Sequence, residues 1–278
     1  VPCYSRRVIW CKSASEAGEI AITCEVMSNV TQDFSDGILA ITIDRPDAYN
    51  SLDKSLRLEL KAAFERAQEP DVRAVILLGG PKAFCTGQDL KEHISDLQSG
   101  AGMGKVVEEY NPMVAELTAI NVPVIAAIEG AAVGAGWSLA LHCDFRIAGP
   151  KASFKAAFPS IGLATDCGMS ALLPRMVSDA KARELLFFDK KVLADEALSL
   201  GLVTEVVDDP ATRARELAAQ FAVGPTAALK EIKALLRRDT LAAAAAEADA
   251  QARLAVSADH KEAVAAFLEK RPPRFVGE

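Results

Sequence analysis

The sequence has little of what marks several protein classes. Its six cysteines (Cys3, Cys11, Cys24, Cys85, Cys143 and Cys167) form no CxxC pair, and its three histidines, His93, His142 and His260, are widely separated. That spacing argues against a disulfide framework and against a metal site. It suits reduced thiols in a cytoplasmic protein. Positive charge is in deficit: 31 Lys and Arg face 38 Asp and Glu, for a formal net charge of −7. No basic face is then expected to offset the counterion atmosphere of a nucleic acid, although a local basic patch for a small phosphorylated ligand is still allowed. Long clean apolar runs are also missing. VPVIAAIEGAAVGAGWSLALHC has the length of a membrane span, but Glu129 and several glycines interrupt it.

Half of the residues are hydrophobic and a quarter charged, as in an ordinary globular protein. The first 26 residues differ from the rest and lack the apolar core of a signal peptide. Met27 is a candidate natural start, and residues 1–34 are expected to be a poorly packed extension. GILAITIDRP reads as a strand closed by Pro46, and Asp53–Gln68 as an amphipathic helix carrying Leu56, Leu60 and Phe64 at helical spacing. RAVILLGG and VPVIAAIEG are strands apolar enough to be buried on both faces. The polar, glycine-bearing segment from Ile94 to Gly104 reads as a loop that could cover a site. Residues 105–118 read as a helix, GAGWSLALHC as the start of another, and DFRIAG as a strand. From Ala180 onward helices dominate, with one more strand at LVTEVV. The last two helices, in DTLAAAAAEADAQARLA and DHKEAVAAFLEK, each begin at an aspartate expected to cap them. The class is α/β.

Two junctions carry candidate chemistry. GAAVGAG, residues 130–136, follows a buried strand and opens a helix, yet it is neither GxGxxG nor a P-loop. FCTGQD places Gly87 before Gln88 at the end of another strand. Backbone N–H groups converging from two such loops would form an oxyanion hole, since unpaired N–H groups at a helix start favour developing negative charge. A third stretch, GLATDCGMS, sets Asp166 among small uncharged residues. By itself it reads as a helix N-cap or as a base aimed into a pocket. Cys85 and Cys167 have no evident activating base and read as small pocket-lining residues rather than nucleophiles; Ser138 lacks the second glycine of GxSxG and reads as a small packing residue.

AFCTGQDL, GAAVGAGWSLAL, FPSIGLATDCG and AVAAFLEKRPPRFVG resemble, in order, the signatures of the crotonase (enoyl-CoA hydratase/isomerase) superfamily. The resemblance runs from about residue 35 to the C-terminus. Within the superfamily, YNPMV and the LxxDCG pattern are most similar to ring 1,2-epoxyphenylacetyl-CoA isomerases.

The resemblance implies a ββα spiral core over 35–222 and a C-terminal helical region over 223–278 that assembles a homotrimer or a dimer of trimers. It implies an acyl-CoA thioester substrate, with coenzyme A as part of the substrate and no separate cofactor, metal, nucleic acid or membrane partner. The matching positions put the oxyanion-hole N–H groups at Gln88 and Ala135. They put CoA-binding groups at Lys82, Ala83 and Lys91, and at Phe267 and Lys270, which would reach CoA held by a neighbouring subunit. Gly134, Trp137, Ser138 and Phe158 are expected at the substrate pocket. Hydratases of the family use two glutamates, and here those positions hold Ser138 and Phe158. One acid is left, Asp166, where several family isomerases keep their single acid or base. The expected reaction is therefore conversion of the ring epoxide to oxepin-CoA, with Asp166 shuttling a proton. A Δ3,Δ2-enoyl-CoA isomerase, a hydratase-like enzyme, dehalogenation by an Asp166 nucleophile and a non-catalytic acyl-CoA binding module are the alternatives.

Overall fold

The computed structural model describes residues 28–100, 102–236 and 240–274. Met27, most of the expected extension and Asp239, the expected cap of the penultimate helix, lie outside these. Residues 30–34 belong to the fold rather than to a loose extension. Strand β1 (Val30–Ser35) pairs antiparallel with β2 (Ile38–Ile43). The two-residue connection Asp36-Gly37 has positive φ at both positions, as a tight hairpin turn of matching twist requires. Five of the six β1 residues are exposed. An edge strand of this kind lacks the alternation that reveals strands in sequence, and the Asp-Gly pair is its only signal.

Helix α1 (Lys54–Arg66) begins where the Asp53 carboxylate accepts the Leu56 N–H at 2.9 Å, and it buries Leu56, Leu60 and Phe64. The chain then alternates between two sheets. β3 (Ala74–Leu78) enters the larger sheet and β4 (Ala83–Cys85) the smaller. Helix α2 (Leu90–Ser99), a π turn over 106–110 and α3 (Asn111–Ala119) lead back to β5 (Val124–Ile128) and β6 (Ala131–Val133). Helix α4 (Ala135–His142) precedes β7 (Phe145–Ala148) and β8 (Ser153–Lys155). Helices α5 (Met169–Val177) and α6 (Asp179–Phe187) follow, then β9 (Val192–Leu193), α7 (Ala194–Ser199) and β10 (Glu205–Val206). The result is a ββα spiral with sheets ordered β1-β2-β3-β5-β7-β10 and β4-β6-β8-β9, parallel except at β1/β2 and β8/β9.

Continuous apolar strands follow from this arrangement. Val75 and Leu77 of β3 face the main core, while Ala74, Ile76 and Leu78 face the opposite way onto Ala214 and Ala218 of α8 (Pro210–Ala222). A strand covered on both faces has no polar side to display.

Two segments differ from the sequence expectation. Ile94–Ser99 is helix, not covering loop, because Asp89 accepts the Lys91 and Glu92 N–H groups and starts α2 there. The single helix expected over 105–118 is divided by the π turn, with α3 starting at Asn111 ahead of Pro112. Helices α9 (Thr226–Leu236), α10 (Thr240–Leu254) and α11 (Ala258–Glu269) close the chain. The cap of α11 is Ser257, whose hydroxyl accepts the His260 N–H at 3.0 Å; Asp259 instead occupies the first turn. Among the described residues no helix is long and apolar enough to cross a membrane.

Candidate active site

A cavity of about 600 Å³ opens at the C-terminal ends of β4 and β6. Ligands collect at such strand ends because the following loops and helix starts converge there. β4 and β6 are parallel partners with Cys85 opposite Ala132, so the loops after them meet. Gly87 (φ +78°) and Gly134 (φ +55°) make the meeting possible. A Cβ on Gly87 would stand 2.8 Å from the Val133 carbonyl oxygen and 3.3 Å from the Ala135 nitrogen. A Cβ on Gly136 would overlap the Cys85 carbonyl, so the first turn of α4 sits directly on the end of β4.

These contacts bring Gln88 and Ala135 to one wall. Leu52 takes both flanks of Gln88: its N–H donates to Gly87 O at 2.7 Å, and its carbonyl accepts Asp89 N–H at 3.2 Å. The Gln88 N–H is thereby directed to the other side of the chain. Ala135 is the first residue of α4, where N–H groups have no intrahelical acceptor. Both residues line the cavity, and neither N–H has an acceptor among the described residues. Donors so placed can stabilise an oxyanion.

Asp166 lines the same cavity and is only 4% exposed. It does not cap α5. Glu247 of α10 takes that position, accepting the N–H of Gly168, the N–H of Ser170 at 2.7 Å and the Thr165 hydroxyl at 2.8 Å. Asp166 Oδ2 accepts from Gln251 Nε2 at 3.4 Å, and Oδ1 has no hydrogen-bond partner among the described residues. Burial, reinforced by the Glu247 charge, pushes its pKa up to about 7 against the pull of the Cys167 thiol and the Gln251 amide. Asp89, the other buried carboxylate on the cavity wall, goes the opposite way. Burial raises it, but Arg45 at 2.6 Å, the α2 N–H groups and the Ser51 hydroxyl bring it below the ordinary carboxylate range. Two cavity carboxylates held in different states fit one structural and one acid–base role.

Phe158, Ile161, Leu163, Val133 and Ala156 make the inner wall apolar, while Arg45, Lys91 and Arg271 stand among the polar lining residues. Of the residues expected here, Gln88, Ala135, Gly134, Phe158, Asp166, Lys91 and Phe267 come together. Phe267 lines the cavity of its own chain, brought there by α11. Five others do not line the cavity. Lys82 is exposed ahead of β4, Ala83 is buried within that strand, and Lys270 ends α11 in a left-handed conformation. Trp137 is wholly buried and packs on Phe154, and the Ser138 hydroxyl turns to the carbonyls of Gly134 and Asp166. In a helix lying on a sheet end, these two positions of α4 face inward to the core. Burial pushes the Cys85 thiol up to about 12 and the Cys167 thiol well above its ordinary value, so neither is a ready nucleophile.

Sequence reasoning missed Arg45, Arg271, Glu247 and Gln251. The last two did leave a signal. Ala244, Glu247, Ala248, Gln251 and Ala255 form one buried stripe, and two polar residues within an alanine stripe need partners.

Residues 33–278 match the sequence profile of the family described as enoyl-CoA hydratase/isomerase. A Rhodobacter capsulatus protein named "Probable enoyl-CoA hydratase" is 42% identical over 89% of this chain and 98% of its own length. The Escherichia coli 1,2-epoxyphenylacetyl-CoA isomerase is 37% identical over 87% and 96%. Among solved structures, an enoyl-CoA hydratase/isomerase from Pseudoalteromonas atlantica superposes with a TM-score of 0.79 at 30% identity, covering 89% of this chain and all of that one.

Proposed function

The chain belongs to the enoyl-CoA hydratase/isomerase family, a family of enzymes acting on acyl-CoA thioesters, and on that premise we propose that it is an isomerase using Asp166 as its single proton-transferring group. The observation that carries the reading is the state of that carboxylate. It is the one buried acid on the cavity wall with an unengaged oxygen, and its proton affinity is near neutrality. The thioester oxygen accepts from the N–H groups of Gln88 and Ala135. Polarisation acidifies the adjacent carbon, Asp166 Oδ1 takes the proton, and the enolate is held by the same two donors. Asp166 then returns the proton at a different carbon, so no atom is gained or lost. Hydration would need a second acid to handle water, and Phe158 instead makes that part of the wall apolar while Ser138 faces away.

For the substrate we propose ring 1,2-epoxyphenylacetyl-CoA, with the similarity to the E. coli isomerase as support. The C–C bond shared by the epoxide and the six-membered ring breaks, and its electron pair goes into the double bonds of the seven-membered oxepin. The proton taken from the carbon next to the thioester returns to a ring carbon, so substrate and product are isomers. A homotrimer or dimer of trimers in the cytoplasm completes the proposal. It is supported by Phe187 and Phe188, 77% and 80% exposed at the end of α6, and by unpaired buried cysteines.

Turnover of ring-epoxide and 3-enoyl CoA esters by the native chain and by Asp166→Asn tests the reading. Loss of turnover with CoA-ester binding retained supports it. Full activity in the variant refutes the proton transfer, and faster turnover of aliphatic 3-enoyl-CoA refutes the ring substrate.

A further inference from the structure

Two residues one turn apart on α10 reach Asp166 from outside the loop that carries it. Gln251 is wholly buried, lines the cavity and donates Nε2–H to Asp166 Oδ2, while its own Oε1 has no partner among the described residues. Glu247, 5% exposed, gathers the Thr165 hydroxyl and the N–H groups of Gly168 and Ser170, and so ties down both sides of Asp166. Their neighbours in the stripe, Ala244, Ala248 and Ala255, would dock α10 without them. Burying a carboxylate and an amide there costs free energy unless hydrogen bonds compensate, and the partners they find are Asp166 and its loop.

We propose that Gln251 and Glu247 are positioning residues for proton transfer: Gln251 holds Oδ2 and leaves Oδ1 as the oxygen that takes the proton, and Glu247 fixes the loop with its charge behind the acid. This rests on the reading of Asp166 as the proton-transferring group. A donor to the carboxylate favours its charged form, whereas a second negative charge disfavours it, so the two residues act on Asp166 with opposite sign. The other groups near Asp166 are the Cys167 thiol in its own loop and the Tyr110 hydroxyl from the π turn; His142 of α4 holds the Cys167 carbonyl. None of these is altered by substitutions on α10.

The test compares Gln251→Met and Glu247→Gln in the full chain by two measurements. One is the pH profile of kcat and kcat/KM on whichever of the ring-epoxide and 3-enoyl CoA esters the native chain turns over faster. The other is infrared titration of the Asp166 carboxyl in ligand-free protein, identified by difference from Asp166→Asn. Gln251→Met is expected to move the titration upward and Glu247→Gln downward, each by about half to one pH unit, the size of one hydrogen bond. Gln251→Met should lower kcat about tenfold, as expected for a mispositioned base, with KM within about twofold. Gln251→Asn, one methylene too short to reach Oδ2, should behave as Met does. That pair decides the matter if Glu247→Gln does not fold. Shifts of the same sign, or no shift in folded variants, overturn the proposal and leave α10 a packing element. Full activity of Asp166→Asn would sink the proton-transfer reading instead, and the infrared titration would still report whether α10 positions the carboxyl.

Discussion

Gly87→Ala perturbs the candidate oxyanion hole without touching a charged group. Two costs follow from the structure. Alanine at φ +78° gives up about 1 kcal/mol relative to glycine. Its Cβ, 2.8 Å from Val133 O, lies inside the 3.0 Å that real Cβ contacts respect, and both contacting atoms are backbone. The loop after β6 must therefore retreat by a few tenths of an ångström, carrying the Ala135 N–H, which stands 3.3 Å from the same Cβ. Oxyanion donors act over about 2.7–3.1 Å, and loss of one costs about 10²–10³ in kcat. A partial retreat is expected to lower kcat about 10- to 100-fold, with KM changed little because the polar cavity residues Arg45 and Lys91 are undisturbed. Strain and contact together should remove about 1–3 kcal/mol, or a few to about 10 °C in Tm for a chain of this size. Gly201→Ala is the control. It has φ +75° but its nearest neighbour is 3.8 Å away, so it carries the strain without the contact and should leave kcat unchanged. Steady-state kinetics on whichever of the ring-epoxide and 3-enoyl CoA esters the native chain turns over faster, with calorimetry, reads both effects. A folded Gly87→Ala protein with kcat within about twofold of native would refute this geometry.

Asp166→Asn should lower kcat by about 10²–10⁴ while retaining affinity for the CoA ester. In the native enzyme Asp166 must be deprotonated to act as base. With its pKa pushed up to about 7, kcat/KM should rise about tenfold per pH unit below 7 and level above it. Burial lowers His93 and His142 to about 4 and also lowers His260. Groups buried neutral contribute stability that is present above the ordinary histidine pKa of 6.5 and is lost as pH falls toward 4. Asp166, raised rather than lowered, opposes this by one proton across the same window. Denaturant unfolding at stepped pH should therefore show Asp166→Asn losing stability more steeply on acidification than the native chain, by up to about 1.4 kcal/mol per pH unit; equal slopes would contradict the buried protonated acid. Arg57, 1% exposed, donates to Glu92, Glu109 and the Leu52 carbonyl. Removing it strands the buried Leu52 carbonyl and leaves two partly buried carboxylates without their cation, so Arg57→Ala is expected to destabilise by about 2–4 kcal/mol in denaturant titration, and a loss under 1 kcal/mol would contradict the network.

The helices and buried strands of the spiral were legible in the sequence because each is a local periodicity. Leu56, Leu60 and Phe64 mark a helix wherever it packs, and AVILL, short, β-branched and followed by Gly79-Gly80, reads as a strand covered on both faces. The edge strand β1 and the helix α2 escaped for equally physical reasons. One buries almost nothing, and the other is announced mainly by a cap, Asp89. Glycine at 87 and 134 foretold a close approach of two loops, since only that conformation explains them.

Sequence could not decide which role Asp166 takes. A lone aspartate ahead of a helix is an N-cap unless something else supplies the cap, and that something is Glu247, 81 positions away along the chain and adjacent only once α10 has docked. The same docking brings Gln251 to Oδ2, and α11 brings Phe267 to the cavity. For Trp137 and Ser138 the sequence left core and pocket wall both open, because a motif specifies the turn that starts α4 whereas the sheet beneath it decides which side faces the core; both are buried off the cavity. Local chemistry is written in neighbouring residues; a buried carboxyl's proton affinity belongs to whatever the fold sets against it.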